Sequence, residues 1–96
     1  MNAFVVFDIS DNTKLHAVKM ELRILNYYTQ WEALGETYNL PSNCLWKVNC
    51  ELAQAKREVQ NAINMVNSRN PSQITLLRFI TLSVTPWEGI TGVVVV

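Results

Sequence analysis

The stretch Ala3-Phe4-Val5-Val6-Phe7-Asp8-Ile9 decides the fold. β-branched and aromatic side chains dominate it, and Ala3 to Phe7 is an unbroken apolar run. That is the pattern of an interior strand covered on both faces. In an alternating strand Phe4, Val6 and Asp8 share one side, and Ala3, Val5 and Phe7 share the other. Both sides hold large apolar groups, so a helix layer on one side leaves a second side that also has surface to bury.

Downstream, Ser10-Asp11-Asn12-Thr13 is a turn cluster with side chains suited to helix capping, Thr13 being the favoured N-cap. From Lys14 to about Trp31, Leu15, Val18, Leu22 and Leu25 recur at spacings of three and four, which predicts an amphipathic helix lying on a sheet. Gly35 ends that region, and Glu36–Leu40 reads as a short strand. After the Pro41-Ser42-Asn43 turn, Cys44–Asn49 alternates and predicts a second hairpin strand. Asn49 is placed to cap a helix over Glu51–Asn67, whose buried face is Leu52, Ala55, Val59, Ala62, Ile63 and Val66. Asn70-Pro71 stops it, because proline disfavours helical geometry in the residue before it. Gln73–Val84 is the last long strand, and Val93–Val96 a fifth beyond the Pro86–Gly89 turn.

The order is βαββαβ with a C-terminal extra strand, an α+β ferredoxin-like sandwich in which two helices cover one face of an antiparallel sheet. Ninety-six residues hold one such domain, residues 1–96, and no second core. With 49% hydrophobic residues the chain has material for a core, and disorder is excluded. Eight Lys and Arg balance eight Asp and Glu, so there is no broad basic field of the kind that marks a nucleic-acid binder. The apolar runs fall far short of the roughly 20 residues needed to span a bilayer, which argues against a membrane partner. The N-terminus lacks the basic region of a secretory signal. Cys44 and Cys50, about 20 Å apart on an extended segment, cannot bridge within it and read as reduced thiols of a cytoplasmic protein.

The uncovered sheet face predicts a homodimer, because an apolar face of that size is seldom left exposed on a monomer. The valine tail adds an edge that pairing with a partner would satisfy. For chemistry, Asp8 at the strand end and Asp11 in the turn are candidate ligands of a hard cation such as Mg2+. Against this, Asp11 also suits a helix cap and Asp8 a plain strand end. Lys14, Lys19 and Arg23 lie near one face of the first helix and could contact phosphate, or form a solvated face in which Glu21 weakens the field. Tyr27, Tyr28 and Trp31, with Tyr38, could stack on unpaired bases, close the core, or contact another protein. His16 stands alone and reads as a surface histidine.

The segment Phe4-Val5-Val6-Phe7-Asp8-Ile9-Ser10-Asp11 resembles the opening of the small dimeric subunit of CRISPR adaptation complexes and its relatives, the virulence-associated-protein-D-type ribonucleases. In those proteins the first strand closes in Tyr-Asp-Ile or Tyr-Asp-Leu, and Phe7-Asp8-Ile9 is similar. Ser42-Asn43-Cys44-Leu45-Trp46-Lys47-Val48 is similar to their third strand. The resemblance implies a sheet-to-sheet dimer with an exchanged C-terminal strand. It also implies either metal-dependent cleavage of RNA or DNA, with Asp8 as the catalytic metal ligand, or a scaffold for DNA and a partner protein. The chain departs from that pattern by its neutrality and by the lack of arginines after Asp8. A non-enzymatic accessory or inhibitor protein that binds another protein is the alternative reading.

Overall fold

The computed structural model describes residues 2–83. They form β1 (Ala3–Ile9), α1 (Leu15–Ile24), β2 (Gln30–Ala33), β3 (Glu36–Asn39), β4 (Cys44–Lys47), α2 (Leu52–Ser68) and β5 (Leu76–Leu82). This is a small α+β arrangement with two helices and antiparallel sheets. The predicted turn at Pro86–Gly89 and the tail strand Val93–Val96 lie outside the described residues. None of the helices among the described residues is long and apolar enough to cross a membrane.

β1 is the central strand of a sheet ordered β4-β1-β5, antiparallel to both neighbours. Its odd residues Ala3, Val5, Phe7 and Ile9 are buried, and its even residues Phe4, Val6 and Asp8 are not. The odd side faces the helices, where Val18 and Leu22 of α1 meet Val59, Ala62, Ile63 and Val66 of α2 in one core. A fully buried side chain of this size contributes about 1.5–3 kcal/mol by leaving water. Phe7, the largest buried residue of β1, is therefore a principal tie between sheet and helices.

Several boundaries differ from the periodicity. α1 stops at Ile24, not at Trp31, because Asn26 takes a left-handed φ of 69°. The Tyr27 N–H then donates to the Leu22 carbonyl, closing the helix end. Thr13 is not the N-cap: Asp11 caps a short 3-10 turn over Asn12–Lys14, and α1 continues from it. Asn49 does not cap α2 either; its own left-handed φ of 52° makes the turn before the helix, whose N-cap is Glu51. β5 starts at Leu76 because the Ile74 backbone is held by the Asn67 side chain, through its N–H at 2.8 Å and its carbonyl at 3.0 Å.

The strand order is the larger difference. A second strand added to β4 would complete the expected four-stranded sheet, but only Tyr28 pairs there, in an isolated bridge with Trp46. The chain then leaves the sheet and forms a separate hairpin, β2 against β3. Its loop is Leu34-Gly35, both at positive φ (53° and 77°), the pattern of a type I′ turn, whose twist matches the strands it joins. Glycine adopts this freely, whereas a leucine there costs about 1–2 kcal/mol.

Candidate functional site

The uncovered side of the sheet presents three rows of neighbours. Phe4 lies between Trp46 and Leu82, Val6 between Cys44 and Ile80, and Asp8 beside Arg78. One end of this face is roofed by the hairpin. The Trp31 ring stands 5.2 Å from Phe4 and 4.4 Å from Trp46, and Tyr28 lies 5.3 Å from Trp46 on the other side. The Trp46 indole N–H donates to the Gln30 carbonyl at 2.6 Å, fastening the root of the hairpin to the sheet. Tilted and edge-on aromatic pairs add about 0.5–1.5 kcal/mol each to what their burial provides. Beside the roof, Val6, Leu82 and above all Ile80, 61% exposed, leave an apolar row open.

At the far end of the face Arg78 Nε meets Asp8 Oδ2 at 2.9 Å, and Asn43 Nδ2 donates to Asp8 Oδ1 at 3.4 Å. The pair is solvent-exposed, so it contributes at most about 1 kcal/mol. Asp11 Oδ1 accepts from the Thr13 hydroxyl at 2.6 Å and the Thr13 N–H at 3.0 Å. These two hydrogen bonds, the hydroxyl's first, hold the Asp11 carboxyl below its ordinary 3.8. The two aspartates expected to share a cation thus hold separate partners, one across strands and one at a helix start. A cation at Asp8 would have to displace a guanidinium from Oδ2. Among the described residues no group of three or more His, Cys, Asp or Glu is placed to hold a metal ion.

A second polar group lies between sheet and helices. Lys47 is on the helix side of β4, in register with Ala3, and reaches Glu58 of α2 at 3.0 and 3.1 Å. The Tyr27 hydroxyl donates to Glu58 Oε1 at 3.0 Å and lies 3.8 Å from Cys50 Sγ. Gln54 Nε2 also donates to Glu58, and the Lys47 ammonium stands 5.3 Å from the Tyr27 ring centroid. Burial, then the hydrogen bonds to Cys50 and Glu58, push the Tyr27 hydroxyl far above its ordinary range. It stays protonated and acts as a donor, which suits fastening α1 to α2 better than proton abstraction.

The basic and aromatic residues singled out from the sequence separate in the fold. Lys14 donates to Asn70 Oδ1 at 3.1 Å and ties the start of α1 to the end of α2. Lys19 is only 4% exposed, because α1 packs against α2 as well as the sheet and buries a second flank. Burial first, and Arg23 second, lower its pKa, so it is not a phosphate contact on a solvated face. Arg23 and His16 are exposed. Tyr27 is buried and cannot stack on a base, whereas Tyr28 is exposed and Trp31 half-buried. Both cysteines are free and buried, and burial raises the Cys44 thiol to about 11.

Sequence reasoning missed Lys47, Glu58, Ile80 and Arg78. The alternation of Cys44–Asn49 put Lys47 on the same side as Leu45, and a cation sharing a side with a large apolar residue is a signal for a partner. Glu58 follows the core position Ala55 at a helical spacing of three, a signal of similar kind. Ile80 and Arg78 could be assigned a face only once the register with β1 was known. No known family model, characterised protein or solved structure gives a significant match to the chain.

Proposed function

We propose that this chain is a non-enzymatic binding protein that acts as a homodimer, two copies meeting through the uncovered sheet face. The observation that carries this reading is the open row of Val6, Ile80 and Leu82 on one side of β1 and β5. Contiguous apolar surface of this kind marks interaction sites on soluble proteins. The zero net charge imposes no repulsion between copies and offers phosphates little, since affinity for nucleic acid rests on neutralising them. The Arg78 guanidinium on Asp8 also supports binding over metal-dependent cleavage.

On this reading the fold is a variant of the ferredoxin-like sandwich. Its second strand is shortened to the Tyr28–Trp46 bridge, and the residues that would have extended it form the hairpin instead. The shortening moves Trp31 from a sheet edge onto the sheet face.

Sedimentation at tens of micromolar tests the proposal. The full chain is expected to be a dimer, and Ile80→Asp a folded monomer; a monomeric wild type overturns it. A parallel incubation with single- and double-stranded RNA and DNA in Mg2+ is expected to show no cleavage. Cleavage lost in Asp8→Ala would replace this reading with that of a metal-dependent nuclease.

A further inference from the structure

We infer that Leu34, at the tip of the β2–β3 hairpin, is an anchor that packs on the Val6–Ile80 row of a second copy, each protomer's hairpin reaching over the other's sheet. This rests on the homodimer reading above and names the contact that makes it.

Leu34 combines two features that its own fold does not explain. It is 97% exposed, the most exposed of the large apolar side chains among the described residues. It also occupies a left-handed position, φ 53°, where asparagine or glycine is preferred. A bulky apolar residue held at a strained turn and almost wholly exposed has its use outside the chain.

The size of the sheet face points to the same conclusion. Three strands, the longest of seven residues, outline a plane of roughly 14 by 23 Å, a few hundred Å2. A stable interface usually buries about 800 Å2 on each partner. Part of this face is already roofed by Trp31. A dimer held by the sheet face alone is therefore too small, and among the described residues the hairpin is the element beside that face with surface to add. Its tip lies three residues, about 10 Å, beyond Trp31, where the hairpin is fastened.

Charge does not oppose the same pairing. Residues 30–39 contain Glu32 and Glu36 and no cation, and both carboxylates are exposed on opposite sides of the ribbon. The row that Leu34 would meet ends in the exposed Asp8–Arg78 ion pair, which sets no unpaired like charge against those carboxylates. The exchange is reciprocal about a two-fold axis, so it closes as a dimer and does not propagate into a fibre.

Leu34→Asn is the direct test, because asparagine suits the turn and leaves the monomer folded at unchanged or higher Tm. Its dimer dissociation constant is expected to rise about tenfold or more, the loss due to one buried leucine. As a second measurement, a tagged Leu34→Cys chain is mixed with an untagged Ile80→Cys chain under mild oxidation. A covalent heterodimer of the two is expected. If wild type is a dimer but Leu34→Asn dimerises as tightly and the mixed cysteines do not couple, the hairpin contact is overturned while the homodimer stands. A monomeric wild type overturns both.

Discussion

Tyr27 donates its hydroxyl hydrogen to Glu58 Oε1 across 3.0 Å, joining the turn that follows α1 to the middle of α2. Lys47 closes on both oxygens of the same carboxylate from the sheet side. One glutamate therefore holds three elements together. Tyr27→Phe is expected to cost about 1–2 kcal/mol in urea unfolding, the loss of one buried hydrogen bond. Glu58→Ala should cost more, about 2–3 kcal/mol, because it also strands Lys47 in a poorly hydrated place. Lys47→Met/Glu58→Leu should recover part of that. A double variant no more stable than Glu58→Ala would show that the stranded charge is not the cause.

Lys19 is a charge that the fold disfavours. Its folded pKa lies below its ordinary 10.5, chiefly through burial. Between those two values the unfolded chain binds more protons, so stability rises with pH there, and below them the penalty is fully present. Lys19→Met is expected to stabilise the protein at pH 7 by about 0.5–1 kcal/mol and to flatten the alkaline rise. Thermal melts from pH 7 to pH 10.5 would check both; a destabilised variant would contradict the assigned burial.

Asp11 behaves in the opposite sense. Hydrogen bonds from Thr13 keep its carboxyl below 3.8, so its stabilising effect is present above that value and is lost as pH falls through the lowered folded pKa. Asp11→Ala should be less stable than wild type at pH 7. Melting curves of the two should converge as the pH drops below 3.8. A gap that persists in strong acid would mean that the residue acts through something other than its charge.

Trp31 is the contact that folds the hairpin onto the sheet. Trp31→Ala should cost about 1–3 kcal/mol, less than a fully buried tryptophan, and the loss should be local. Hydrogen exchange is expected to speed up in β2 and β3 and to stay slow in β1. Equal acceleration in β1 would show that the hairpin is part of the main cooperative unit.

The sequence made the central strand and the second helix legible. Ala3–Ile9 has few ways to be placed other than inside a sheet, and Leu52 to Val66 repeat at helical spacing until Pro71 forbids continuation. Local capping was less legible. Asp11 and Thr13 are both good caps, and only the backbone geometry shows which oxygen meets which N–H. The end of α1 was obscured because Tyr27, Tyr28 and Trp31 extend an apolar pattern that Asn26 interrupts.

The candidate site depended more on tertiary placement. Trp31 and Trp46 are separated in sequence, and their convergence on Phe4, with Tyr28 against Trp46, follows from the chain leaving the sheet after Tyr28. The alternation of β1 by itself determined that Phe4, Val6 and Asp8 share a side, since the period of a strand leaves no choice. Which side the helices cover, that Arg78 meets Asp8, and that Ile80 is left open were decided only by the fold. The reason is register: alternation sorts residues within one strand, but a shift of one residue between strands would exchange every neighbour across the sheet.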